Sequence, residues 1–413
     1  MEKIVLRGVI VLSILFILIN NVSANPGRTI TYVPCIINES GCYYLSKNYT
    51  NIKAEHAIII IASDVTLYGL GFKISSASQG TPLKQNIGIL IKGARNVTLH
   101  NLSIDNWYKG VVIEDSENIR ILNCGIYFSK MYGIQVWYSS NVTIDRCSLA
   151  KNGNTGIMIH YSKYVNISNS SISNNSNGIR LSFSSKVYIV NNHIYRNADG
   201  VEMKSSTLNI ITLNTICENG DDGICIYEDS EENEISNNII CKNGDDGIFL
   251  RKSSENIILA NNMSYNFDDG VEICHSYKNK IYSNDIIGNK FSGIALTYSS
   301  KRNIIVENNI TLNFIGLFIF KSLNNCICLN DFVDNLYNFK ISAGEINIWN
   351  STRLIEYTFN ATTHENYLGN YWSDYNGTDI NGDGVGDYPY TLSKNNQDYA
   401  PLISKRTKYK IKL

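Results

Sequence analysis

Proline is scarce in this chain of 413 residues: there are five prolines, and none lies between residues 83 and 388. Proline lacks the backbone N–H that the middle of a sheet requires, so this long interval is free to form uninterrupted ladders of backbone hydrogen bonds. Charged residues are also few, at 18 %. The 36 cationic and 37 acidic residues give a net charge of −1, without the basic excess of a nucleic-acid-binding protein. We therefore predict no nucleic-acid partner.

Long apolar runs are missing everywhere except at the N terminus. Lys3 and Arg7 precede an apolar run over 9–19, and small residues follow it. This order is typical of a secretory signal peptide, so we predict a signal over 1–24, cleavage before Asn25, and a secreted or cell-surface location. The alternative is a retained membrane anchor, for which the run is short. No second stretch approaches the roughly 18 apolar residues of a transmembrane helix, so we predict no membrane span after cleavage.

The cysteine content agrees with export. Ten cysteines fit a protein of an oxidising compartment with some disulfides, and Cys35 and Cys42 are close enough in sequence to close a small loop. Several Asn-X-Ser/Thr sequons, for example at 48–50 and 376–378, are acceptors for N-glycosylation where they are exposed. We therefore also predict a glycoprotein.

Eleven glycines recur at intervals of 22 to 24 residues, each followed by an apolar residue, a variable residue and a second apolar residue. They are Gly88, Gly110, Gly133, Gly156, Gly178, Gly200, Gly223, Gly247, Gly270, Gly293 and Gly316. A unit of this length without helical periodicity holds two or three short strands, which bury their apolar sides only by stacking on neighbouring units. Ile and Val fill the apolar positions, which disfavours a leucine-rich repeat. The pattern predicts an all-β, right-handed parallel β-helix of about 11–13 coils.

The repeat divides the mature chain into three parts. We assign 25–56 to an N-terminal cap, 57–340 to β-helix repeats of about 23 residues, and 341–413 to a C-terminal cap. The C-terminal cap contains an Asp-rich loop and ends in a basic tail from Lys405 to Lys412. Short basic tails of this kind are usually solvated.

Asparagine stands at one corner of seven successive units. The seven residues are Asn192, Asn214, Asn238, Asn261, Asn284, Asn308 and Asn330. Asn tolerates the left-handed conformation of a tight corner, and stacked amides hydrogen-bond along the axis. In the same register Cys124 and Cys147 occupy this corner one coil apart, and Cys217 matches Cys241. Neighbouring strands lie about 4.8 Å apart, within disulfide range, so both pairs are disulfide candidates; the alternative is buried thiols that act as small apolar residues.

Charged residues concentrate where the repeat points outward. Counted from each glycine, the second and fourth following residues face away from the core because side chains alternate along a strand, and aspartates precede four of the glycines. We name nine acids the acidic strip: Asp199, Asp221, Asp222, Asp245, Asp246, Asp268, Asp269, Glu202 and Glu272. Its flanking cations are Arg180, Lys204 and Arg251.

The acidic strip has three interpretations. Carboxylates in adjacent and alternate coils stand about 5 and 10 Å apart, separations that glycoside hydrolysis uses, so these residues and the flanking cations are candidates for catalysis on a polysaccharide. Crowded carboxylates also bind cations or glycan hydroxyls. The third interpretation is that Asp-Gly suits the tight turn before each strand. Nearby aromatic residues, Trp107, Tyr108, Trp137 and Tyr138, either stack on sugar rings or pack as ordinary surface residues.

An Asp- and Gly-rich loop near the C terminus has the spacing of a calcium loop. Asp379, Asn381, Asp383 and Asp387 provide oxygens at positions one, three, five and nine, and Val385 provides a backbone carbonyl at position seven. The Glu that closes an EF-hand loop at position twelve is absent. The loop predicts a calcium site of modest affinity, and the alternative is a simple Gly/Asp-rich turn.

Both ends of the repeat region contain motifs of a known class. The opening segment AIIII at 57–61 and the later segments GNYWSDY at 369–375 and YPY at 388–390 resemble the NosD-like, carbohydrate-binding and sugar-hydrolysis (CASH) class of right-handed β-helix proteins, in its secreted archaeal form. The resemblance implies the β-helix fold and export. It extends to several activities, because the class includes copper-site maturation proteins, polysaccharide epimerases and lyases.

These observations favour a secreted or cell-surface protein that interacts with carbohydrate. Segments 197–200 and 220–223 are similar to the Asp pattern of polygalacturonases, but the Gly-His-Gly and Arg-Ile-Lys elements of those enzymes are missing. The first alternative is therefore a polysaccharide-processing hydrolase, lyase or epimerase. The second is a NosD-like periplasmic accessory protein, in which Cys326 and Cys328 would bind copper.

Overall fold

The computed structural model describes residues 27–77, 85–343 and 346–412. Three parallel sheets of 14 strands each form a solenoid of about 13 turns with almost no helix. The predicted all-β, right-handed parallel β-helix is confirmed. No helix in the described ranges is long and apolar enough to cross a membrane. The predicted signal peptide and its cleavage site lie outside the described residues.

Each turn of the chain adds one strand to each sheet. The strands of sheet 1 are Cys35–Ile37, His56–Ile60, Ile87–Lys92, Lys109–Glu114, Tyr132–Trp137, Thr155–His160, Asn177–Ser182, Asp199–Lys204, Ile224–Tyr227, Ile248–Arg251, Val271–Cys274, Ser292–Thr297, Ile315–Phe320 and Tyr337–Ser342. Those of sheet 2 are Arg28–Ile30, Gly41–Leu45, Val65–Tyr68, Arg95–His100, Glu117–Leu122, Ser140–Asp145, Lys163–Ser168, Tyr188–Val190, Ile210–Thr212, Glu234–Ser236, Ile257–Leu259, Lys280–Tyr282, Ile304–Val306 and Cys326–Cys328. Those of sheet 3 are Tyr49–Ile52, Lys73–Ser76, Ser103–Asp105, Gly125–Tyr127, Ser148–Ala150, Ser171–Ser173, His193–Tyr195, Thr215–Cys217, Ile239–Cys241, Asn262–Ser264, Asp285–Ile287, Asn309–Thr311, Asp331–Val333 and Tyr371–Trp372.

The solenoid begins earlier than the glycine repeat indicates. Arg28–Ile30 pairs in parallel with Gly41–Leu45, and Cys35–Ile37 pairs with His56–Ile60, so residues assigned to the N-terminal cap form the first turns. These turns lack the repeated glycine, and the buried Ala57 takes its place. The glycine is needed further along, where a Cβ at Gly200 would lie 2.5 Å from the carbonyl oxygen of Gly223 in the next coil.

Asparagine ladders run along the interior corners. The Asn214 side-chain amide donates to Asn238 Oδ1 in the next coil at 3.0 Å and to the Ile189 carbonyl in the previous coil at 2.8 Å. The ladder residues are buried and do not adopt the left-handed conformation; that conformation belongs to the residue before each, as at Leu213 and Asn237. The turn is made one residue earlier because the ladder side chain must point inward to pair. Two further Asn ladders occupy the other corners. One includes the hydrogen-bonded pair Asn209–Asn233, and the other includes the pair Asn175–Asn197.

One of the three candidate disulfides is present. Cys217 and Cys241 are bonded between adjacent coils of sheet 3, which confirms that pair. Cys124 and Cys147 are free, buried thiols, which is the second of the two alternatives for this pair. Their sulfurs lie instead against backbone carbonyls, at 3.3 Å from Leu122 O and 3.4 Å from Asp145 O.

The predicted Cys35–Cys42 bridge is wrong. Both residues are free thiols, because Cys35 belongs to sheet 1 opposite Ile58 and Cys42 to sheet 2 opposite Thr66. The small loop between them turns a corner of the solenoid rather than closing on itself.

A cap covers the C-terminal end of the solenoid. It contains a three-stranded sheet of Ile355–Phe359, Thr362–Asn366 and Lys410–Ile411, a hairpin of Tyr390–Ser393 and Asn396–Asp398, and a 3₁₀ turn at Arg406–Lys408. One Asn ladder continues into it, from Asn330 to Asn370 at 2.9 Å and from Asn370 to Asp398 at 3.3 Å. The basic tail is docked rather than free, since the Arg406 N–H donates to Asp331 at 2.7 Å.

Candidate functional site

The acidic strip lies on the outer side of sheet 1. Strand Asp199–Lys204 shows the alternation: Val201 and Met203 are fully buried in the core, and the alternate residues Glu202 and Lys204 point outward. The neighbouring strands pair in register along the axis, with Glu202 opposite Cys225. The strip is therefore a continuous column of side chains, as the count from the repeated glycine predicts.

The inner aspartates, Asp199, Asp222, Asp246 and Asp269, form a ladder of their own. The Asp222 N–H donates to Asp199 Oδ1 at 3.3 Å, and the Asp246 N–H donates to Asp222 Oδ1 at 3.1 Å. The Asp269 N–H donates to Asp246 Oδ1 at 2.9 Å, and the Ser292 N–H continues the column at 2.6 Å from Asp269. Apart from Asp199 these aspartates are buried, so they are more than solvated turn residues.

Burial and mutual repulsion disfavour ionisation of the inner aspartates. Burial, followed by the charge of Asp221, raises the pKa of Asp199 to about 6. Burial, followed by the charge of Asp199, raises the pKa of Asp222 to about 8. The pKa values of Asp246 and Asp269 also lie well above the usual range, again with burial as the main cause. Asp222 therefore holds a proton near neutral pH unless a cation replaces it.

The outer aspartates complete two groups of carboxylates. Asp221, Asp222 and Asp245 offer oxygens that lie within 4.8 Å of one another, as do Asp245, Asp246 and Asp268. In the described part of the chain these are the groups of three or more His, Cys, Asp or Glu side chains close enough to hold one metal ion. Both consist of carboxylates alone, the donors preferred by calcium, magnesium and manganese, and they share Asp245.

Glu202 is already engaged by its neighbours. Its carboxylate accepts from the Arg180 guanidinium at 3.3 Å and from the Tyr227 hydroxyl and the Asn177 amide. Of the flanking cations, Lys204 pairs with Glu228 at 3.0 Å, and Arg251 is exposed. Arg180 therefore touches the strip directly, whereas Lys204 is directed to its edge.

A cavity at the C-terminal end of the strip combines acids with aromatic rings. It has a volume of about 340 Å³, and its lining includes Asp268, Asp269, Glu272, Phe291, Thr297, Tyr298, Phe318 and Phe320. Thr297 Oγ1 donates to Glu272 at 2.7 Å. The aromatic wall was not among the predicted site residues, although Phe318 and Phe320 stand two and four residues beyond the repeated Gly316.

The aromatic residues predicted for sugar stacking are arranged differently. Trp107 is fully buried and donates its indole N–H to the Ile74 carbonyl at 3.2 Å, so it belongs to the core. Tyr138, Tyr161 and Phe183 stack on one another at 5.0 Å between ring centroids. The rings therefore contact one another, while all three side chains remain exposed, at 53 %, 43 % and 46 %.

The predicted calcium loop directs its side chains toward its own backbone. Asp379 accepts from the backbone N–H groups of Gly382 and Gly384, each at 2.9 Å. Asp383 Oδ1 accepts from the Val385 N–H at 2.8 Å, and Asp387 accepts from the Ile380 N–H at 2.9 Å. Asn381, Asp383, Val385 and Asp387 line a common cavity, but the two tight carboxylate groups lie on the strip rather than here.

The comparisons with known proteins agree with the fold. Residues 87–240 match the family described as right handed beta helix region, and residues 226–377 match the periplasmic copper-binding protein (NosD) family. A double mutant of the periplasmic alginate epimerase AlgG is 17 % identical to this chain, with a TM-score of 0.52. The aligned region covers 75 % of this chain and 77 % of the AlgG chain. The A-module of the Azotobacter vinelandii mannuronan C-5 epimerase AlgE4 is 15 % identical, covering 75 % and 91 %, also with a TM-score of 0.52. The search of curated proteins gave no match.

The donors present do not fit the copper of the NosD description. Copper sites favour clustered imidazole and sulfur ligands, whereas the close groups of three in the described residues contain carboxylates alone. Cys326 and Cys328 share one short strand of sheet 2 without a third such ligand in a group. His275 Nδ1 lies 3.2 Å from Cys274 Sγ, again as a pair. We assign no role to copper.

Proposed function

We propose that the chain is an extracytoplasmic carbohydrate-binding protein whose acidic strip binds polysaccharide together with a hard divalent cation such as calcium. The observation that supports this most directly is the pair of overlapping carboxylate groups beside an aromatic-lined cavity on one face of one sheet. The predicted signal peptide and the disulfide between Cys217 and Cys241 favour an oxidising compartment outside the cytoplasm.

The cavity has the composition of a sugar site. Carboxylates such as Asp268 and Glu272 accept hydrogen bonds from hydroxyl groups, and the rings of Phe291 and Phe318 offer apolar surface to the C–H faces of a pyranose. Sites that combine aromatic surface with a few convergent polar groups are typical of small-ligand recognition. The acidic strip extends from this cavity over the coils that begin at Asp199, so a polymer is a better candidate ligand than an isolated monosaccharide.

The cation has an electrostatic role in this proposal. Without it, the inner aspartates are protonated or repel one another, as the raised pKa values of Asp199 and Asp222 indicate. A divalent ion among Asp221, Asp222 and Asp245 would displace these protons and also accept sugar oxygens as further ligands, since calcium takes 6–8 oxygens. Glycan retention should therefore depend on calcium and weaken below neutral pH.

A polysaccharide-processing enzyme is the second candidate. Carboxylates of adjacent coils stand about 5 Å apart, the separation of the acid and the nucleophile in retaining glycosidases. Asp199 and Asp222 occupy adjacent coils and differ in pKa, about 6 and about 8, as a base and an acid would. Hydrolase, lyase and epimerase activities all use such pairs of groups in principle, so the product identifies the class.

Asp245→Asn is the decisive variant, because Asp245 belongs to both carboxylate groups. The matched control is Asp229→Asn, an exposed residue at a left-handed corner that makes the same chemical change away from the strip. The assay is retention of acidic and neutral polysaccharides with calcium and with chelator. We expect retention that requires calcium and is lost in Asp245→Asn alone.

Other outcomes separate the alternatives. Released products, new unsaturation or a changed sugar configuration would establish an enzyme. Equal retention by Asp245→Asn and Asp229→Asn would place binding elsewhere. If no glycan is retained and the purified protein contains stoichiometric copper, the accessory function replaces our proposal despite the donors described above.

A further inference from the structure

Buried polar atoms without hydrogen-bond partners collect on sheet 1, immediately N-terminal to the acidic strip. They are Gln135 Oε1, Trp137 Nε1, His160 Nδ1 and Arg180 Nε. They belong to three successive strands, Tyr132–Trp137, Thr155–His160 and Asn177–Ser182. We name these four residues the upper cluster. Gln135 faces outward from the sheet, yet it is only 7 % exposed.

Unpaired buried polar atoms are unfavourable in a folded protein. They also occur elsewhere in the solenoid, for example at His56 Nδ1 and Asn262 Oδ1, but the upper cluster brings four of them together on three successive strands. In the upper cluster the side chains of successive coils do not complement one another: Met158 stands between Gln135 and Arg180 in the register. The unpaired atoms of the upper cluster therefore have no hydrogen-bond partner within the column. A bound polar ligand supplies one, once the side chains rotate toward it.

The charge and donors of the upper cluster select an anion. Trp137 Nε1 and Arg180 Nε are donors only. The Lys109 ammonium lies 5.7 Å from the Tyr132 ring centroid beside the cluster, and burial lowers its pKa. The Arg180 guanidinium is paired with Glu202 on one side and has 33 % of its side chain exposed. Trp137 and Arg180 thus offer two unused donors, Arg180 and Lys109 carry the positive charge, and the Gln135 amide is able to pair with a neighbouring hydroxyl.

We infer that the upper cluster is an anion subsite that takes the carboxylate or sulfate group of an acidic sugar residue. The inference rests on the proposed glycan binding and specifies its substrate class. Arg180 is two to three coils from Asp222 and Asp245, about 10–15 Å at the usual strand spacing. A glycan chain lying along sheet 1 would place one anionic residue on Arg180 and present later residues to the cation of the acidic strip.

The test uses calorimetric titration in chelator, which removes the cation from the acidic strip. The probes are oligogalacturonates, heparin oligosaccharides and neutral cello-oligosaccharides. We expect one anionic set to bind, with affinity that falls as salt rises, and the neutral set to fail. Preference for oligogalacturonates identifies a carboxylate, and preference for heparin identifies a sulfate.

Two variants make the inference falsifiable. Arg180→Gln should weaken anionic binding at least tenfold, while the control Arg120→Gln, an exposed arginine on sheet 2, should leave it unchanged. Because Arg180→Gln also releases Glu202, Gln135→Met provides a second variant that removes the unpaired carbonyl. It should weaken binding about threefold with an unchanged or higher melting temperature.

Equal affinities of wild type, Arg180→Gln and Gln135→Met would overturn the anion subsite. So would binding of neutral oligosaccharides alone. If neutral glycans bind only with calcium, the acidic strip functions as proposed and the upper cluster does not. If no glycan binds with calcium or chelator, both the proposed function and this inference are wrong.

Discussion

Asp222→Asn should stabilise the calcium-free protein, and the gain should depend on pH. Asp222 is buried, and its pKa is raised from 3.8 to about 8. The folded state binds the Asp222 proton more tightly than the unfolded state does. This protonation therefore contributes fully to the free energy of unfolding below about pH 4, and the contribution is lost as pH rises through about 8. Each pKa unit corresponds to about 1.4 kcal/mol. Between the ordinary pKa of 3.8 and pH 7 there are about three units, so at pH 7 wild type has lost about 4 kcal/mol of its free energy of unfolding.

The Asn side chain retains an oxygen that can accept from the Asp246 N–H, as Asp222 Oδ1 does at 3.1 Å, and it has no proton to lose. We therefore expect Asp222→Asn to unfold at higher denaturant concentration than wild type at pH 7.5 in chelator, and at a similar concentration at pH 4. Calcium should narrow the difference at pH 7.5 by stabilising wild type alone. A gain that is the same at both pH values, or no gain at pH 7.5, would refute the reasoning.

Three further predictions concern the disulfide, the ladder and the loop. The double variant Cys217→Ser/Cys241→Ser should lose about 2–4 kcal/mol of stability in denaturant unfolding. Thiol titration of unfolded wild type should find eight free cysteines, and a lower count would contradict the single disulfide. Asn238→Ala removes amide contacts to both neighbouring coils and should cost about 2–4 kcal/mol in denaturant unfolding; a neutral effect would contradict the ladder. In thermal unfolding, Asp383→Ala should reduce the calcium-induced shift if the loop binds calcium, and Asp245→Asn should reduce it if the strip does.

The fold was predictable because its repeat leaves a direct trace in the sequence. A glycine at Gly200 is required by the carbonyl of the next coil, so the spacing of glycines measures the length of a coil. Alternation along each strand then gives the outward residues, which is why Glu202 was expected on the outer side of sheet 1. The strands before residue 57 escaped the same reasoning because no repeated glycine marks them, although Cys35–Ile37 pairs with His56–Ile60.

Contacts that depend on the corners were not predictable in this way. Cys35 and Cys42 are near in sequence but on different sheets, and only the position of the corner between them reveals it. The thiols of Cys124 and Cys147 are one coil apart, yet carbonyl contacts orient them. The raised pKa of Asp222 is caused mainly by burial, and the sequence pattern shows which residues face outward but not how deeply neighbouring coils bury them.

The Asn ladder that ends at Asn370 has a net dipole along the axis of the solenoid. Each ladder amide donates toward the C-terminal end, so its dipoles add head to tail, much as peptide dipoles do in a helix. The last amide, at Asn370, needs a group that only accepts, and the buried carboxylate of Asp398 meets this need while also accepting from the Trp372 indole at 3.0 Å. Between Asn192 and Asn330 every coil supplies the same ladder residue, so duplication could add or delete a coil there without disturbing this ladder. Asp398 ends the ladder, and a chain cut before Asp398 would expose its positive end.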